Sequence, residues 1–145
     1  MQQDLFPAEP APPVVLTGLF AEVVLDRPLE QVYTYAVGPE LEASIGVGKR
    51  VRVPFGRGDK AIVGYCVGVT NTAPAGHRIK SVLAVLDEEA LLSDHLLRLT
   101  RWMADYYLCG WGQALTAVVP AGAKSQAGTA RRLFVEAVPR SKSVV

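Results

Sequence analysis

The seven residues KRVRVPF at positions 49–55 decide how this chain is read. Arg50, Arg52 and Pro54 alternate with Val51, Val53 and Phe55, a period of two that places guanidiniums on one face of a strand and apolar side chains on the other. One face belongs to a core and the other to solvent or a ligand. Proline has no N–H to give a central ladder, so the strand is expected to end at Pro54 or to lie at a sheet edge there. Gly56 and Gly58 then permit a tight turn.

Segments of similar composition lie on either side. Residues 19–25, 31–37, 61–69 and 79–86 are rich in Val, Ile and Tyr and are separated by Gly, Pro and Asn at the spacing of a small β-barrel or sandwich. After Asp87 the period becomes helical. Ser93 supplies an N-cap, Asp94 stands in the first turn, and Leu96, Leu99, Thr100, Met103 and Tyr107 recur at three- and four-residue spacings. Gly110 is the expected stop of that helix, and Pro120 ends a second, short one over about 113–118. The expected fold is therefore α+β and β-rich: a small, partly open antiparallel β-barrel followed by C-terminal helices, over residues 18–123. Residues 1–17, with Pro7, Pro10, Pro12 and Pro13, read as a disordered leader. Residues 124–145 read as a basic tail that begins a linker to a downstream domain, with strand composition at 131–138.

Composition bounds the chemistry. A chain of 145 residues is long enough for one domain, which at this size buries about 70% of its unfolded surface. Half its residues are hydrophobic and a fifth are charged, which excludes wholesale disorder and coiled-coil composition. The apolar run over 12–20 is interrupted by Thr17 and Gly18, too short to span a bilayer, and no basic opening marks a secretory signal, so no membrane is expected and the cytoplasm is the expected compartment. Cys66 and Cys109 form no CxxC pattern, and His77 and His95 no HxxxH, so neither metal nor disulfide is expected. GVGKR at 46–50 and AGAKS at 121–125 lack the full phosphate-loop pattern, and neither histidine accompanies a motif nucleophile. The carboxylates of Asp87, Glu88 and Glu89 read as hydrated or as partners of a helix dipole. No enzyme is expected in this chain. Trp102, Tyr106, Tyr107 and Trp111 have the types to stack bases, but at helical spacing they read as core.

The net charge of +1 hides an uneven distribution. Residues 1–48 carry −6, 49–60 carry +4, 61–123 carry −1 and 124–145 carry +4. A local basic stretch grips a phosphate within a Debye length of about 8 Å at physiological salt. The plainer reading of such a stretch is a solvated face.

The run GKRVRVPFGRGDKAIVGYCVGV at 48–69 resembles the N-terminal region of the PriA family of bacterial replication-restart helicases, also called primosomal protein N′. In that family a G-x-R-V-x-V-P-F-G strand and turn precedes an I-x-G-x-V strand. VVLDRPLEQVYTYAVGP at 23–39 resembles the family's opening strand, Pro-Leu linker and aromatic strand. IKSVLAVLD at 79–87 and the helical W-x-A-x-Y-Y within 99–120 resemble its later pieces, in order, so that the similarity covers about 21–123.

The resemblance implies a module that recognises the 3′ end of a DNA strand at stalled or abandoned replication forks, without sequence preference, as part of primosome assembly. It implies a pocket for the terminal nucleotide formed by Tyr33, Gly56 and Lys80. The family's acidic position falls on Thr34, a departure, because threonine donates and accepts but brings no charge. Arg50, Arg52 and Arg57 are expected to neutralise nearby phosphates. ATP and zinc belong to the family's helicase, winged-helix and zinc-binding parts, expected beyond Val145, so no cofactor is expected here. The partners implied are DNA 3′ ends, branched forks and other primosome proteins.

Each pocket residue also has a structural reading: Tyr33 as strand packing, Gly56 as a turn, Lys80 as a solvated edge lysine. Two other functions stay open at this point. One is a general single-strand nucleic-acid barrel, and the other a protein-interaction module whose basic strand docks an acidic partner.

Overall fold

The structure, a computed structural model, describes residues 15–76, 78–120 and Gly122. Its elements are β1 (Val15–Leu25), β2 (Val32–Ala36), β3 (Arg50–Phe55), β4 (Lys60–Pro74), β5 (Ala84–Val85), α1 (Asp94–Tyr107) and α2 (Trp111–Val118). The strands form one antiparallel sheet in the order β2-β1-β4-β3-β5, and the fold is α+β and β-rich. The sheet is not closed. The edge strand β2 meets the segment that precedes β5 through a parallel bridge between Ala36 and Ser81, where Ala36 N–H donates to the Lys80 carbonyl and Val82 N–H to the Ala36 carbonyl, each at 2.9 Å.

Strand alternation divides the apolar residues between two faces. Val23, Val51, Val53 and Cys66, all fully buried, form one core with Tyr35 and Val82. On the other face Val24 and Tyr65 pack against Leu92, Leu97, Leu115 and Val119 from the helical region. Gly112 makes that docking possible: a Cβ there would collide with the Leu25 carbonyl, so only a bare backbone lets α2 lie against the end of β1.

Val51 and Val53 are buried and Arg52 is exposed, as their alternation requires, but Arg50 is not on a solvated face. It is 7% exposed and paired with Asp87, which corrects the expectation that the three β3 positions 50, 52 and 54 share an open face. Pro54 stays within the strand, paired with Ala61 of β4. Arg50 and Arg52 turn their carbonyls to the 83–86 segment, so Pro54 turns its ring nitrogen to that side too, beyond the last pairing with β5. The ladder loses nothing there.

Several boundaries differ from expectation. β1 begins at Val15, inside the stretch read as a leader, because it pairs with the far end of β4 at Pro74. The strand expected at 79–86 shortens to Ala84–Val85, since residues 80–82 turn to hydrogen-bond Ala36 instead. Residues 1–14, His77 and the segment 131–138 lie outside the described residues.

Ser93 caps α1, its hydroxyl accepting from Leu96 N–H at 3.4 Å. The buried face is Leu97, Thr100 and Ala104, not the face carrying Leu99 and Tyr107. Small residues at 100 and 104 let α2 approach. Thr100 satisfies its hydroxyl on the carbonyls of Leu96 and Leu97 while accepting from the Trp111 indole N–H at 3.1 Å. The aromatic residues expected in the core are consequently outside: Trp102, Tyr106 and Tyr107 are 57–67% exposed, with Trp102 and Tyr106 stacked at 5.2 Å. Trp111 is half-buried beneath the Arg101 guanidinium. The left-handed residue that ends α1 is Leu108, φ +52°, and Gly110 instead opens α2, its N–H held by the Gln113 side chain.

Candidate nucleic-acid interface

Where β2, the β3–β4 turn and the 78–80 segment meet, a cleft of about 520 Å³ opens to solvent. β2 supplies its aromatic wall. Tyr33 and Tyr35 sit two residues apart and so share a face, Tyr35 buried and Tyr33 half-buried. The Tyr33 ring meets Phe55 edge to face, centroids 5.4 Å apart, an arrangement that aromatic quadrupoles favour. The Tyr35 hydroxyl donates to the Pro54 carbonyl at 3.1 Å, tying β2 to β3 across the cleft floor. Burial, and secondarily Tyr33 beside it, push the Tyr35 pKa up to about 12, so it remains a neutral donor.

The turn of four residues between Phe55 and Lys60 forms the opposite lip. Gly56 holds φ +77°, a conformation that a side chain would strain, and the space where its Cβ would stand is empty to 4 Å. A ligand therefore meets bare backbone there. Lys80 reaches across to this turn, its Nζ 2.6 Å from the Gly56 carbonyl and 2.5 Å from Asp59 Oδ1. Its own carbonyl accepts from Ala36 on β2, so Lys80 fastens the two sides of the cleft together. The hydrogen bond and charge of Lys80 hold the Asp59 carboxyl below the usual carboxylate range.

Tyr33, Gly56 and Lys80, far apart in sequence, thus line one recess, and Arg57 lines it with them. Thr34 borders it too, but alternation turns its side chain to the other face from the tyrosines, opposite Glu22 of β1. Arg52 is exposed on β3 and is not among the residues that line the cleft. Arg50 is remote in a different sense. Its guanidinium and backbone N–H both bind Asp87, at 2.6 Å from Nη2 and 2.8 Å from N. The hydrogen bond that the guanidinium donates to Asp87 raises the Arg50 pKa further. Burial alone would raise Asp87, but the bonds from Arg50 outweigh it and hold the carboxyl low.

Sequence reasoning missed Asp59, Arg78 and Phe55 as cleft residues, and Arg27, whose guanidinium lies 5.9 Å over the Phe55 ring. Asp59 carried a signal: it is the lone acid within the basic stretch 49–60, placed in the turn. Arg78 and Arg27 sit in separate loops with no pattern linking them to β3. Among the described residues no three His, Cys, Asp or Glu side chains gather as metal ligands, and no helix is long and apolar enough to cross a membrane.

An aromatic wall, a bare turn and a lysine across an open sheet's edge define a small β-rich ligand-binding domain. Comparison with known proteins makes the class specific: the chain belongs to the PriA 3′ DNA-binding domain family, whose model, described as the 3′DNA-binding domain (3′BD), matches residues 22–120. The replication restart protein PriA of Treponema pallidum (strain Nichols) is 38% identical over 104 residues, covering 68% of this chain and 16% of that protein. PriA of Bacillus subtilis (strain 168) is 32% identical over 111 residues, 74% of this chain and 14% of the relative. For PriA of Chlamydia trachomatis the values are 29% over 105 residues, 70% and 14%. The chain spans 14–16% of the length of these relatives.

Proposed function

We propose that this chain is a non-catalytic DNA-binding module that receives the 3′-terminal nucleotide of a strand in the cleft between β2 and the β3–β4 turn. The observation that carries the reading is the convergence of Tyr33, Gly56 and Lys80 on one recess. Tyr33 stacks on the terminal base; every base has a π-face, so stacking gives affinity without sequence preference. The Gly56 backbone admits the sugar closely. Arg57 and Arg78 face the phosphates, and binding weakens with added salt. Lys80 shapes the lip through Gly56 and Asp59, with its charge facing the same recess. Arg50 is left out of the contact set because its side chain is buried against Asp87.

The cell biology follows the family. The module acts in the cytoplasm, on 3′ ends exposed at stalled or abandoned forks, within a PriA-type restart pathway that brings it to other primosome proteins. A domain that begins with β1 at Val15 and is followed by a basic tail at 124–145 suits such a module.

Titration separates the readings. Labelled oligonucleotides of equal length, with a free 3′-hydroxyl, with a 3′-phosphate, and circularised, are added to the chain and binding is read by fluorescence anisotropy. The free hydroxyl is expected to bind tightest and the circle weakest. Equal binding of the circle identifies a general single-strand binder, and salt-insensitive failure to bind any of them leaves a protein-interaction module.

A further inference from the structure

The cleft holds a group that a phosphate-binding surface has no use for. Asp59 is the sole acidic side chain among the described residues that line it, beside Arg57, Arg78 and Lys80. A phosphodiester needs donors, and a carboxylate has none to give. A terminal hydroxyl needs an acceptor. Asp59 can serve as one: it lines the cleft, Oδ1 is held by Lys80, which itself donates to the Gly56 carbonyl, and Oδ2 has no hydrogen-bond partner among the described residues. The side chain is 56% exposed, so a ligand can reach it.

Resting on the 3′-end reading above, we propose that Asp59 is the specificity-determining residue of the cleft: Oδ2 accepts the hydrogen bond of a free 3′-hydroxyl while Oδ1 stays on Lys80. A hydroxyl on a carboxylate makes a short, charge-assisted bond, about twice as strong as a neutral one. A 3′-phosphate at the same place presents anionic oxygens to an anion, and a continuing strand presents no hydroxyl at all. Discrimination thus comes as much from what the carboxylate repels as from what it binds. Lys80 holds the Asp59 carboxyl below the usual carboxylate range, so at neutral pH it is ionised and can accept but not donate. Thr34, the alternative acceptor in the sequence, has its side chain on the far face by alternation.

The turn allows a clean test. Asp59 has φ +49°, a left-handed conformation that Asn tolerates as Asp does and Gly adopts freely, so Asp59→Asn and Asp59→Gly both preserve the backbone. The ratio of affinities for a 3′-hydroxyl and a 3′-phosphate oligonucleotide is measured for the wild-type chain and both variants, with equal thermal midpoints as the folding control. Each variant is expected to narrow the ratio by about tenfold or more, the size of one hydrogen bond to a charged group, chiefly by tightening 3′-phosphate binding. An unchanged ratio in both variants, or a ratio abolished by Thr34→Val and not by Asp59→Asn, overturns the assignment while leaving the 3′-end reading intact. A wild-type chain that binds a circle as well as a free end overturns both.

Discussion

Arg50 with Asp87 and Lys80 with Asp59 are two ion pairs built on the same strand and its turn, and they differ in their access to water. The first has side-chain exposures of 9% and 8%, the second of 30% and 56%. In the buried pair every bond is spent inside the molecule: Asp87 binds both the guanidinium and the backbone N–H of Arg50, locking the 83–87 segment beside β3. In the exposed pair Asp59 stays open to solvent and lines the cleft beside the bare Gly56 backbone. Two cations, Arg50 within the basic stretch and Lys80 outside it, therefore do different work. Burial makes one a clamp of the scaffold; exposure leaves the other beside a ligand.

Breaking the clamp has the largest expected effect. Asp87→Asn leaves Arg50 buried without its countercharge and is expected to lower unfolding stability by about 3–5 kcal/mol, read by urea denaturation at pH 7. The pH dependence sharpens the assignment. Because the folded Asp87 pKa lies below its unfolded value, its stabilisation is complete above the ordinary carboxylate range and is lost as pH falls through the folded value. The wild-type chain is expected to lose stability over that acid window more steeply than Asp87→Asn does. Equal slopes would contradict a stabilising pair.

On the cleft side the effects appear in binding rather than folding. Tyr33→Ala is expected to weaken binding of a 3′-hydroxyl oligonucleotide by about 1–3 kcal/mol, the contribution of stacking one base. Arg57→Ala should matter least, flattening the slope of log affinity against log salt by about 0.7, one phosphate contact on a single strand. Arg52→Ala, outside the lining, is expected to change that slope less than Arg57→Ala. The reverse ranking would show that the DNA follows β3 and not the turn.

Much of the sheet was legible because period-two alternation is a local signal: Val51, Val53 and Arg52 stand where it sends them. The same signal failed for Arg50, since an alternation places a side chain on a face and says nothing of what covers that face. Asp87, 37 residues away, covers it. On α1 the spacing picked out Thr100, which is buried, together with Leu99 and Tyr107, which are exposed, and passed over Leu97 and Ala104, which the close approach of α2 buries beside Thr100. Contact with a partner helix, invisible in one helix's sequence, set the phase and left Trp102 and Tyr106 in solvent. Tyr33, Gly56 and Lys80 were reachable through family resemblance, whereas Asp59 and Arg78 required the folded turn, because only the cleft brings them beside Tyr33.

The placement of a last nucleotide against Tyr33 can be read optically. An oligonucleotide carrying 2-aminopurine at its 3′-terminal position, and a second carrying it five nucleotides inward, are titrated with the chain. Stacking quenches this base, so fluorescence should fall for the terminal probe alone, and Tyr33→Ala should abolish the change. Equal quenching of the inward probe, or quenching that survives without the Tyr33 ring, contradicts the account.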